Sequence, residues 1–282
     1  MKKICLLSCQ SLDGYIVDDE LLVRELEQSG EYTVTTIPWD NEADWSVFDL
    51  VIIRTTWDYA QRPKEFLKKI TEISSQARLC NSPNVVEWNI HKGYLNELAL
   101  KGAKLVPTHM FKFPGPIDVP HDWQHEKLII KPAISAGSFK TMIVTREELK
   151  KETLLAELFA GDWMLQPFLE EIKKGEISLH FFDKKFSHGI IKIPKEGDFR
   201  VQEEFGGNIK PFAPDAELLK LGQDIVNLIP FELLYARVDM LAYQGNYLLM
   251  ELELIEPALY FSTNSQAVKN FKVALDKIFI SP

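Results

Sequence analysis

Cysteine is scarce in this 282-residue chain, which has three cysteines, Cys5, Cys9 and Cys80, without metal-ligand spacing. An odd number of cysteines and no disulfide framework are typical of a reducing compartment. Long apolar runs are missing as well, because no segment reaches the roughly 18 residues of a membrane-spanning helix. Residues 1–10 also lack the long apolar stretch of a secretory signal. We therefore expect a cytoplasmic protein without a membrane partner.

Positive charge is in deficit. Lys and Arg number 32 against 41 Asp and Glu, so the net charge is -9, which argues against a nucleic-acid partner. The chain contains neither a Gly-x-Ser-x-Gly motif nor a Gly-x-x-x-x-Gly-Lys-Ser/Thr phosphate loop. A hydrolase triad and a P-loop enzyme therefore have little support, and the expected partners are small molecules.

What the chain does contain is an alternation of strand and helix patterns. In the first third, this order predicts a parallel sheet with helical crossovers. The turn formers at 81–84 predict a boundary after it. Strands are predicted at 4–8, 32–37, 50–53, 127–131, 163–169, 176–182, 186–193, 199–205, 234–243 and 247–255. Helices are predicted at 20–28, 63–73, 91–100, 146–159, 214–228 and 265–279.

An acidic hairpin near the C-terminus is the most informative segment. Two β-rich runs, 235–243 and 247–255, are joined by Gln-Gly-Asn, which predicts a hairpin in which Tyr243 faces Tyr247. Because strand side chains alternate in direction, four charged residues then share one face: Arg237, Asp239, Glu251 and Glu253. The other face is expected to be the core face and carries Ala236, Val238, Met240, Leu248, Met250, Leu252 and Leu254.

The predicted pairing places Asp239 opposite Glu251 and Arg237 opposite Glu253. Directly opposed carboxylates repel each other, and a bound cation would remove this conflict. Carboxylates without nearby His or Cys favour a hard ion such as magnesium or manganese. We therefore predict a metal site at Asp239, Glu251 and Glu253. The alternative is a solvated strand face with alternating charges.

A phosphate clamp is suggested by Lys131, which ends an apolar strand and precedes a polar loop. Gly137 lets the backbone approach a ligand closely, while the other candidate loop ligands are Ser135, Ser138 and Lys140. Lys92 is a second candidate cation. Each feature alone fits an ordinary loop or a solvated lysine equally well.

Two arginine segments are candidate anion sites. Arg200 lies in a predicted strand that ends at paired glycines and could hold a phosphate or carboxylate in a fork, or pair with Asp198 or Glu203. The block Arg54-Thr-Thr-Trp-Asp-Tyr59 follows an apolar strand, where ligands of parallel sheets bind. We expect this block to bind the substrate through Arg54, Trp57, Asp58 and Tyr59, with Asp19 nearby. The alternative is structural, with the aromatic residues capping the core and Arg54 paired to Asp58.

Taken in order, these segments resemble the ATP-grasp superfamily, in its glutathione synthetase-like branch, over roughly residues 80 to 260. Lys92 and Lys131 look like its nucleotide-phosphate lysines, and residues 135–141 look like its flexible phosphate-covering loop. The run at 165–169 looks like its adenine-binding hinge, which implies contacts from Gln166, Pro167, Phe168 and Leu169. Glu176 sits where the family places a ribose-binding acid.

The remaining motifs resemble the catalytic part of the same family. Arg200 is similar to its phosphate- or substrate-binding arginine, and the hairpin resembles its metal-binding strands. The family usually has Asn where Glu253 stands, which puts the number of metal ions in question. The Arg-Thr-Thr-Trp-Asp-Tyr block and the Glu-Leu-Ile-Glu-Pro ending are most similar to the O-ureido-serine cyclo-ligases of cycloserine biosynthesis.

The resemblance implies an α/β ATP-grasp fold in which two lobes enclose the nucleotide. The implied units are an N-terminal substrate-side domain at 1–87, a central lobe at 88–164 and a C-terminal lobe at 165–282. The implied activity is a carboxylate–amine ligase or cyclo-ligase that uses ATP and magnesium or manganese and forms an acyl-phosphate. Its catalytic residues would be Lys131, Arg200 and Arg237. An ATP-binding regulator and a small-molecule kinase are the alternatives, and a homodimer is left open.

Overall fold

Three β-sheets organise the computed structural model, which describes residues 1–280 of the chain. The first region contains β1 (Lys2–Ser8), α1 (Asp19–Gln28), β2 (Tyr32–Pro38), β3 (Leu50–Thr55), α2 (Pro63–Ser74) and β4 (Leu79–Cys80). Its strands are parallel in the order β2-β1-β3-β4, as the alternating pattern predicts. β3 is buried along its whole length, which explains why its sequence is nearly continuous in apolar residues.

The second sheet is antiparallel, with the strand order β5-β8-β6-β7. Two short helices precede it, α3 (Pro83–Asn89) and α4 (Tyr94–Leu100). The other elements here are β5 (His109–Phe113), β6 (Lys127–Pro132), β7 (Met142–Thr145), α5 (Glu152–Leu155) and β8 (Gly161–Pro167). Its core is built from β6, β7 and β8, whose buried residues include Leu128, Val144 and Trp163.

The third sheet has five antiparallel strands in the order β11-β10-β9-β12-β13. Its elements are β9 (Glu176–Phe182), β10 (Lys185–Ile193), β11 (Asn208–Phe212), α6 (Ala216–Asn227), β12 (Tyr235–Tyr243), β13 (Asn246–Glu253) and α7 (Ala267–Ile280). α6 covers one face of the sheet because Leu218 and Val226 pack in one core with Leu179 and Phe181. Within residues 1–280, no helix is long and apolar enough to cross a membrane.

A shared core joins the first sheet to the third. Ile4 and Leu22 from the first region pack in one cluster with Phe182 and Phe271. At the same junction, the hydroxyl of Tyr235 donates to the carbonyl of Ile53 at 2.6 Å. The carboxyl end of β3 therefore lies beside β12, which brings the residues after β3 towards the face of the third sheet.

Two predicted elements are wrong. Residues 146–159 form no continuous helix, because the backbone of Lys151 is extended (φ -81°, ψ 135°) between a single 3-10 turn and the four-residue α5. Residues 199–205 form no strand, because the carboxylate of Asp198 accepts from the backbone N–H groups of Phe199 and Arg200 and holds a turn there. The strand lies at β11 instead, and α3 and β5 are further elements that the pattern did not predict.

The hairpin of β12 and β13 has the predicted central pairing but a different tip. Tyr243 pairs with Asn246 rather than Tyr247, and the two turn residues, Gln244 and Gly245, have φ values of 48° and 75°. Positive φ at both positions matches the twist of a two-residue hairpin turn. A register shift beyond the tip then restores the pairs Asp239–Glu251 and Arg237–Glu253.

The register shift also corrects the predicted core face. A one-residue shift turns side chains to the opposite side of the sheet. Leu249 therefore enters the core beneath the sheet. Leu248 and Met250, which were expected there, pack instead against Leu241 on the opposite side.

Candidate active site

A cleft of about 400 Å³ is lined by residues from all three regions. Its apolar part is formed by Ile129, Leu169, Leu241 and Met250, with Phe168 beside them. All four predicted hinge residues line this part: Gln166, Pro167, Phe168 and Leu169. Gln166 is fixed by a bond from its amide to the hydroxyl of Thr108 at 2.9 Å. Apolar walls at the end of a strand suit a flat heterocycle such as adenine.

Two lysines and one carboxylate form the first charged group in the cleft. The Nζ atom of Lys92 lies 2.9 Å from Glu251 and donates to the carbonyl of Ser135 at 2.6 Å. The Nζ atom of Lys131 lies 3.6 Å from the other oxygen of Glu251. Burial lowers the pKa of Lys131, and the two lysines lower the pKa of Glu251 although burial opposes its ionisation. The structure thus brings together both predicted phosphate lysines.

Arg237, Asp239 and Glu253 form a second group. Arg237 donates from Nε to Asp239 at 3.0 Å, pairs with Glu253 and donates to the carbonyl of Ala258 at 3.1 Å. Ser178 donates to Asp239 at 2.5 Å. These contacts hold the pKa of Asp239 low despite burial, whereas burial together with Asp239 and Glu251 raises the pKa of Glu253 to about 7.

Glu176 and Lys192 form a third pair at the floor of the cleft. They face each other across the β9–β10 ladder, and Lys192 also lies 3.5 Å from Asp239. Burial raises the pKa of Glu176, although Lys192 opposes this rise. Glu176 therefore lines the cleft as predicted, but a lysine already occupies its carboxylate.

The three predicted metal ligands line one cleft, yet their charges are neutralised differently from the prediction. Lysine and arginine partners, rather than a cation alone, offset the opposed carboxylates Asp239 and Glu251. In residues 1–280, no group of three His, Cys, Asp or Glu side chains is arranged to hold a metal ion. Asp239 is 3% exposed and engaged by Arg237, whereas Glu251 and Glu253 are 27% and 28% exposed. The oxygen chemistry fits magnesium, and Glu251 and Glu253 are the more exposed of the three carboxylates, each with a basic partner.

The loop after β6 contributes three of its four predicted residues. Ser135, Gly137 and Ser138 line the cleft, and Gly137 and Ser138 have φ values of 57° and 59°. The hydroxyl of Ser138 accepts a bond from Gln202 at 2.8 Å. Lys140 is the exception: it lies outside the cleft lining, and its Nζ atom is 3.3 Å from Glu157.

Arg200 lines the cleft but is already paired. Its guanidinium lies 2.7 Å from Asp198 and 3.8 Å from the ring centroid of Phe205. This is the ion pair that the sequence left as one alternative. The pair holds the pKa of Asp198 below its ordinary value, mainly through the hydrogen bonds from Arg200.

The block after β3 is divided between the cleft and the interior. Trp57 and Tyr59 line the cleft, as predicted. Asp58 does not, because its oxygens accept from Trp39 at 2.7 Å and from Arg62 at 2.8 Å.

Arg54 and Asp19 also lie outside the cleft lining, so the expectation that they contact the substrate is corrected. Arg54 is 1% exposed and donates to both oxygens of Asp19, at 2.9 and 2.7 Å. Its remaining terminal nitrogen donates to the carbonyl of Pro257 at 3.1 Å. The guanidinium fork is therefore filled by the protein itself, by Asp19 and not by the Asp58 that the structural alternative named.

Sequence reasoning missed two buried charges of the cleft, Lys192 and Glu256. Lys192 stands opposite Glu176 in the sheet, a relation that only the pairing of β9 with β10 reveals. Glu256 could have been found, because it is the second acid of the Glu-Leu-Ile-Glu-Pro ending and follows directly on the acidic hairpin.

Comparison with known proteins identifies the fold as ATP-grasp. The structure superposes on that of the ATP-grasp ligase PsnB with a TM-score of 0.65 at 16% identity, covering 98% of this chain and 99% of that one. Residues 4–81 match the family model for the N-terminal domain of D-cycloserine synthetase DcsG.

Among individual proteins, this chain is similar to the cycloserine biosynthesis protein DcsG of Streptomyces lavendulae. The two are 28% identical over 267 residues, covering 86% of this chain and 88% of that protein. The crystal structure of D-cycloserine synthetase DcsG matches with a TM-score of 0.83 at 23% identity, over 98% of this chain and 99% of that one. The resemblance expected from the sequence, to ATP-grasp proteins and to a cycloserine biosynthesis protein, is confirmed.

Proposed function

We propose that this protein is an ATP- and magnesium-dependent ligase that joins a carboxylate to an amine, in two molecules or within one, on a small amino-acid-like compound. The observation that carries this proposal is the cleft, in which an apolar pocket opens onto buried lysine, arginine and carboxylate side chains. The ATP-grasp fold and the likeness to a cycloserine biosynthesis protein support it.

The proposed reaction begins when a substrate carboxylate oxygen attacks the γ-phosphorus of ATP and ADP leaves. The nitrogen of an amine then attacks the acyl carbon, loses a proton and displaces phosphate. Phosphoryl transfer depends on positioning and charge neutralisation rather than on a protein nucleophile. Lys92 and Lys131 would exchange Glu251 for phosphate oxygens, because both lysines are held close to the same carboxylate.

Other groups would complete the site. Glu251 and Glu253 would hold magnesium, which supplies charge neutralisation at the transferred phosphoryl group. Arg237 pairs with Glu253 and would stabilise the negative charge of the acyl-phosphate. Arg200 would orient a carboxylate or phosphate from the opposite wall, and residues 135–141 would exclude water. Glu176 would accept a hydrogen bond from a hydroxyl of the ribose.

The test is ADP release in the presence of ATP, magnesium and a panel of amino acids, hydroxy acids and small peptides. Hydroxylamine added to the reaction traps an acyl-phosphate as a hydroxamate. Release that depends on a carboxylate, with hydroxamate formed, supports the ligase. A stable phosphorylated alcohol would make the protein a kinase, and tight ATP binding without turnover would make it a nucleotide-binding regulator.

A further inference from the structure

Glu256 differs from the other buried carboxylates of the cleft. Glu176, Asp239, Glu251 and Glu253 each have a lysine or arginine partner. Glu256 is 7% exposed and lines the same cleft, but it takes part in no ion pair among the described residues. Burial and the charge of Glu253 raise the pKa of Glu256 to about 8. Burying an ionised carboxylate without a cation is costly, and the raised pKa of Glu256 reflects this cost.

Side-chain hydrogen bonds hold the backbone at and just after Glu256. Four successive carbonyls, those of residues 256–259, each accept a hydrogen bond from a side chain. The donors are Trp57 at 2.9 Å, Arg54 at 3.1 Å, Arg237 at 3.1 Å and His188 at 3.0 Å. We call residues 256–259 the clamped segment. These bonds hold the backbone from which the Glu256 side chain extends, and a recognition site is more precise on a fixed backbone.

Two aromatic residues contact Glu256: Trp57 donates to its backbone carbonyl, and Tyr59 lies beside its carboxylate. Trp57 and Tyr59 line the cleft, and Tyr59 lies close enough to Glu256 to raise its own pKa through that contact as well as through burial. Tyr15 continues the wall, with its ring centroid 4.8 Å from that of Trp57. Tyr260, just after the clamped segment, also lines the cleft. Aromatic faces attract cations, and Glu256 would provide the opposite charge by releasing its proton when a cation binds beside it.

We propose that Glu256, with Trp57, Tyr59 and Tyr15, binds a positively charged primary ammonium group of the substrate. This inference rests on the proposed function and narrows the substrate class to compounds that carry a free amine near the reacting carboxylate. The clamped segment follows β13, so an ammonium bound at Glu256 lies on the same wall as the carboxylates that would hold the metal. The other charged groups close enough to act on Glu256 are Glu253, Lys92 and Glu251.

The first test uses the ADP-release panel with paired compounds: serine and glycerate, alanine and lactate, in both enantiomers. Only the amino member of a pair should support turnover. Glu256→Gln should raise the Michaelis constant for that member by at least about tenfold, because a charge-assisted hydrogen bond is lost. The affinity for AMPPNP with magnesium should stay within about twofold. Glu256→Asp keeps the charge and should retain part of the selectivity. Glu232→Gln, an exposed acid outside the cleft, is the matched control.

A second test does not depend on turnover. Ethylammonium chloride is titrated calorimetrically into protein saturated with AMPPNP and magnesium, against sodium chloride at equal ionic strength. A ligand of three heavy atoms can reach a Kd on the order of 1 mM, and this binding should disappear in Glu256→Gln.

The outcomes separate this inference from the proposed function. Binding of ethylammonium that needs Glu256, without ADP release from any compound, would refute the ligase and keep the ammonium site. Turnover of hydroxy acids as efficient as that of amino acids, or a Michaelis constant unchanged in Glu256→Gln, would refute the ammonium site and keep the ligase. Ethylammonium binding that is absent from the parent, or equal in parent and variant, would also overturn the site.

Discussion

Two groups of buried charges, one at Arg54 and one at Glu251, differ in what surrounds them. Arg54 and Asp19 form a pair whose guanidinium is 1% exposed and whose hydrogen bonds all end on protein atoms. Lys92, Lys131 and Glu251 are also close together, but they line an open cleft and Glu251 is 27% exposed. Both groups have the composition of a binding site, so residue type alone does not distinguish structure from function.

The difference is whether the partners can be exchanged. Releasing Arg54 from Asp19 would leave two charges in the interior without water, which is strongly unfavourable. Releasing the lysines from Glu251 exposes them to a cleft that can admit an anion and a metal ion. We therefore infer that the first pair stabilises the fold and holds the clamped segment, whereas the second group exchanges its internal partners for ligand.

The largest expected effect comes from breaking the buried ion pair of Arg54 and Asp19. Arg54→Ala should lower the free energy of unfolding by about 3–5 kcal/mol, because Asp19 is left as a buried unpaired charge. The folded fraction should still bind ATP with nearly the affinity of the parent. Urea unfolding and calorimetry at low temperature measure the two quantities.

Arg24→Ala is the control for this change, because Arg24 is 66% exposed and 3.9 Å from Glu20, a pair of at most about 1 kcal/mol. A stable Arg54→Ala protein with lost substrate dependence would restore the sequence-based expectation that Arg54 binds the substrate.

The next effect depends on pH. The pKa of Glu256 is raised by burial to about 8 from an ordinary value of 4.5, so the folded protein holds a proton there that the unfolded chain releases. Its contribution to stability is complete below the ordinary pKa and is lost as pH rises towards 8. Relative to Glu256→Gln, the parent should therefore lose stability with rising pH, by at most about 1.4 kcal/mol per pH unit.

Thermal unfolding of both proteins between pH 5 and 9 measures this difference. Glu232→Gln should run parallel to the parent throughout, because this acid is exposed. Parallel curves for Glu256→Gln and the parent would mean that Glu256 is ionised and partnered in the folded protein.

A change in the group of Lys92, Lys131 and Glu251 should affect ATP binding rather than the stability of the fold. Lys131→Ala should weaken ATP binding by about 1–3 kcal/mol, the range of a hydrogen bond to a charged group. Its control is Lys127→Ala, on the same strand but exposed. Glu251 keeps Lys92 as a partner at 2.9 Å, so the variant should fold. Equal ATP affinity in the two variants would place Lys131 outside the nucleotide site.

Much of the fold was predictable because each element follows a local rule. The parallel first sheet, the acidic hairpin and the terminal helix all have clear periodicity and turn signals. The pairing of Asp239 with Glu251 was predicted from a wrong turn, and it holds because the register shift compensates the two-residue loop. The pattern failed at 146–159 because the backbone of Lys151 is extended, and at 199–205 because Asp198 binds backbone N–H groups, which periodicity does not reveal.

The site was predictable where residues follow one another on a strand and not where separate regions meet. The hinge residues, Lys92 and Lys131 were expected as nucleotide-binding groups from the resemblance to the ATP-grasp superfamily, and all line the cleft. Asp19 as the partner of Arg54, and Lys192 as the partner of Glu176, depend on contacts between distant segments. Such pairs cannot be identified from residues far apart in sequence. The sequence therefore indicated that Arg54 could bind a substrate, whereas in the fold its guanidinium is paired with Asp19.

The smallest expected effect concerns Lys140, which was predicted to bind phosphate like Lys131 but lies elsewhere in the structure. Lys140 belongs to the predicted phosphate loop, yet it lies outside the cleft lining, and its Nζ atom is 3.3 Å from a Glu157 carboxylate that is 61% exposed. Surface pairs of this kind contribute little, so Lys140→Ala should change ATP affinity and the free energy of unfolding by less than about 0.5 kcal/mol each. Calorimetry with AMPPNP and magnesium, run beside Lys131→Ala, makes the comparison direct. A loss as large as that of Lys131→Ala would mean that residues 135–141 rearrange on binding and carry Lys140 to the phosphates, in which case exposure in the free protein would no longer separate the two lysines.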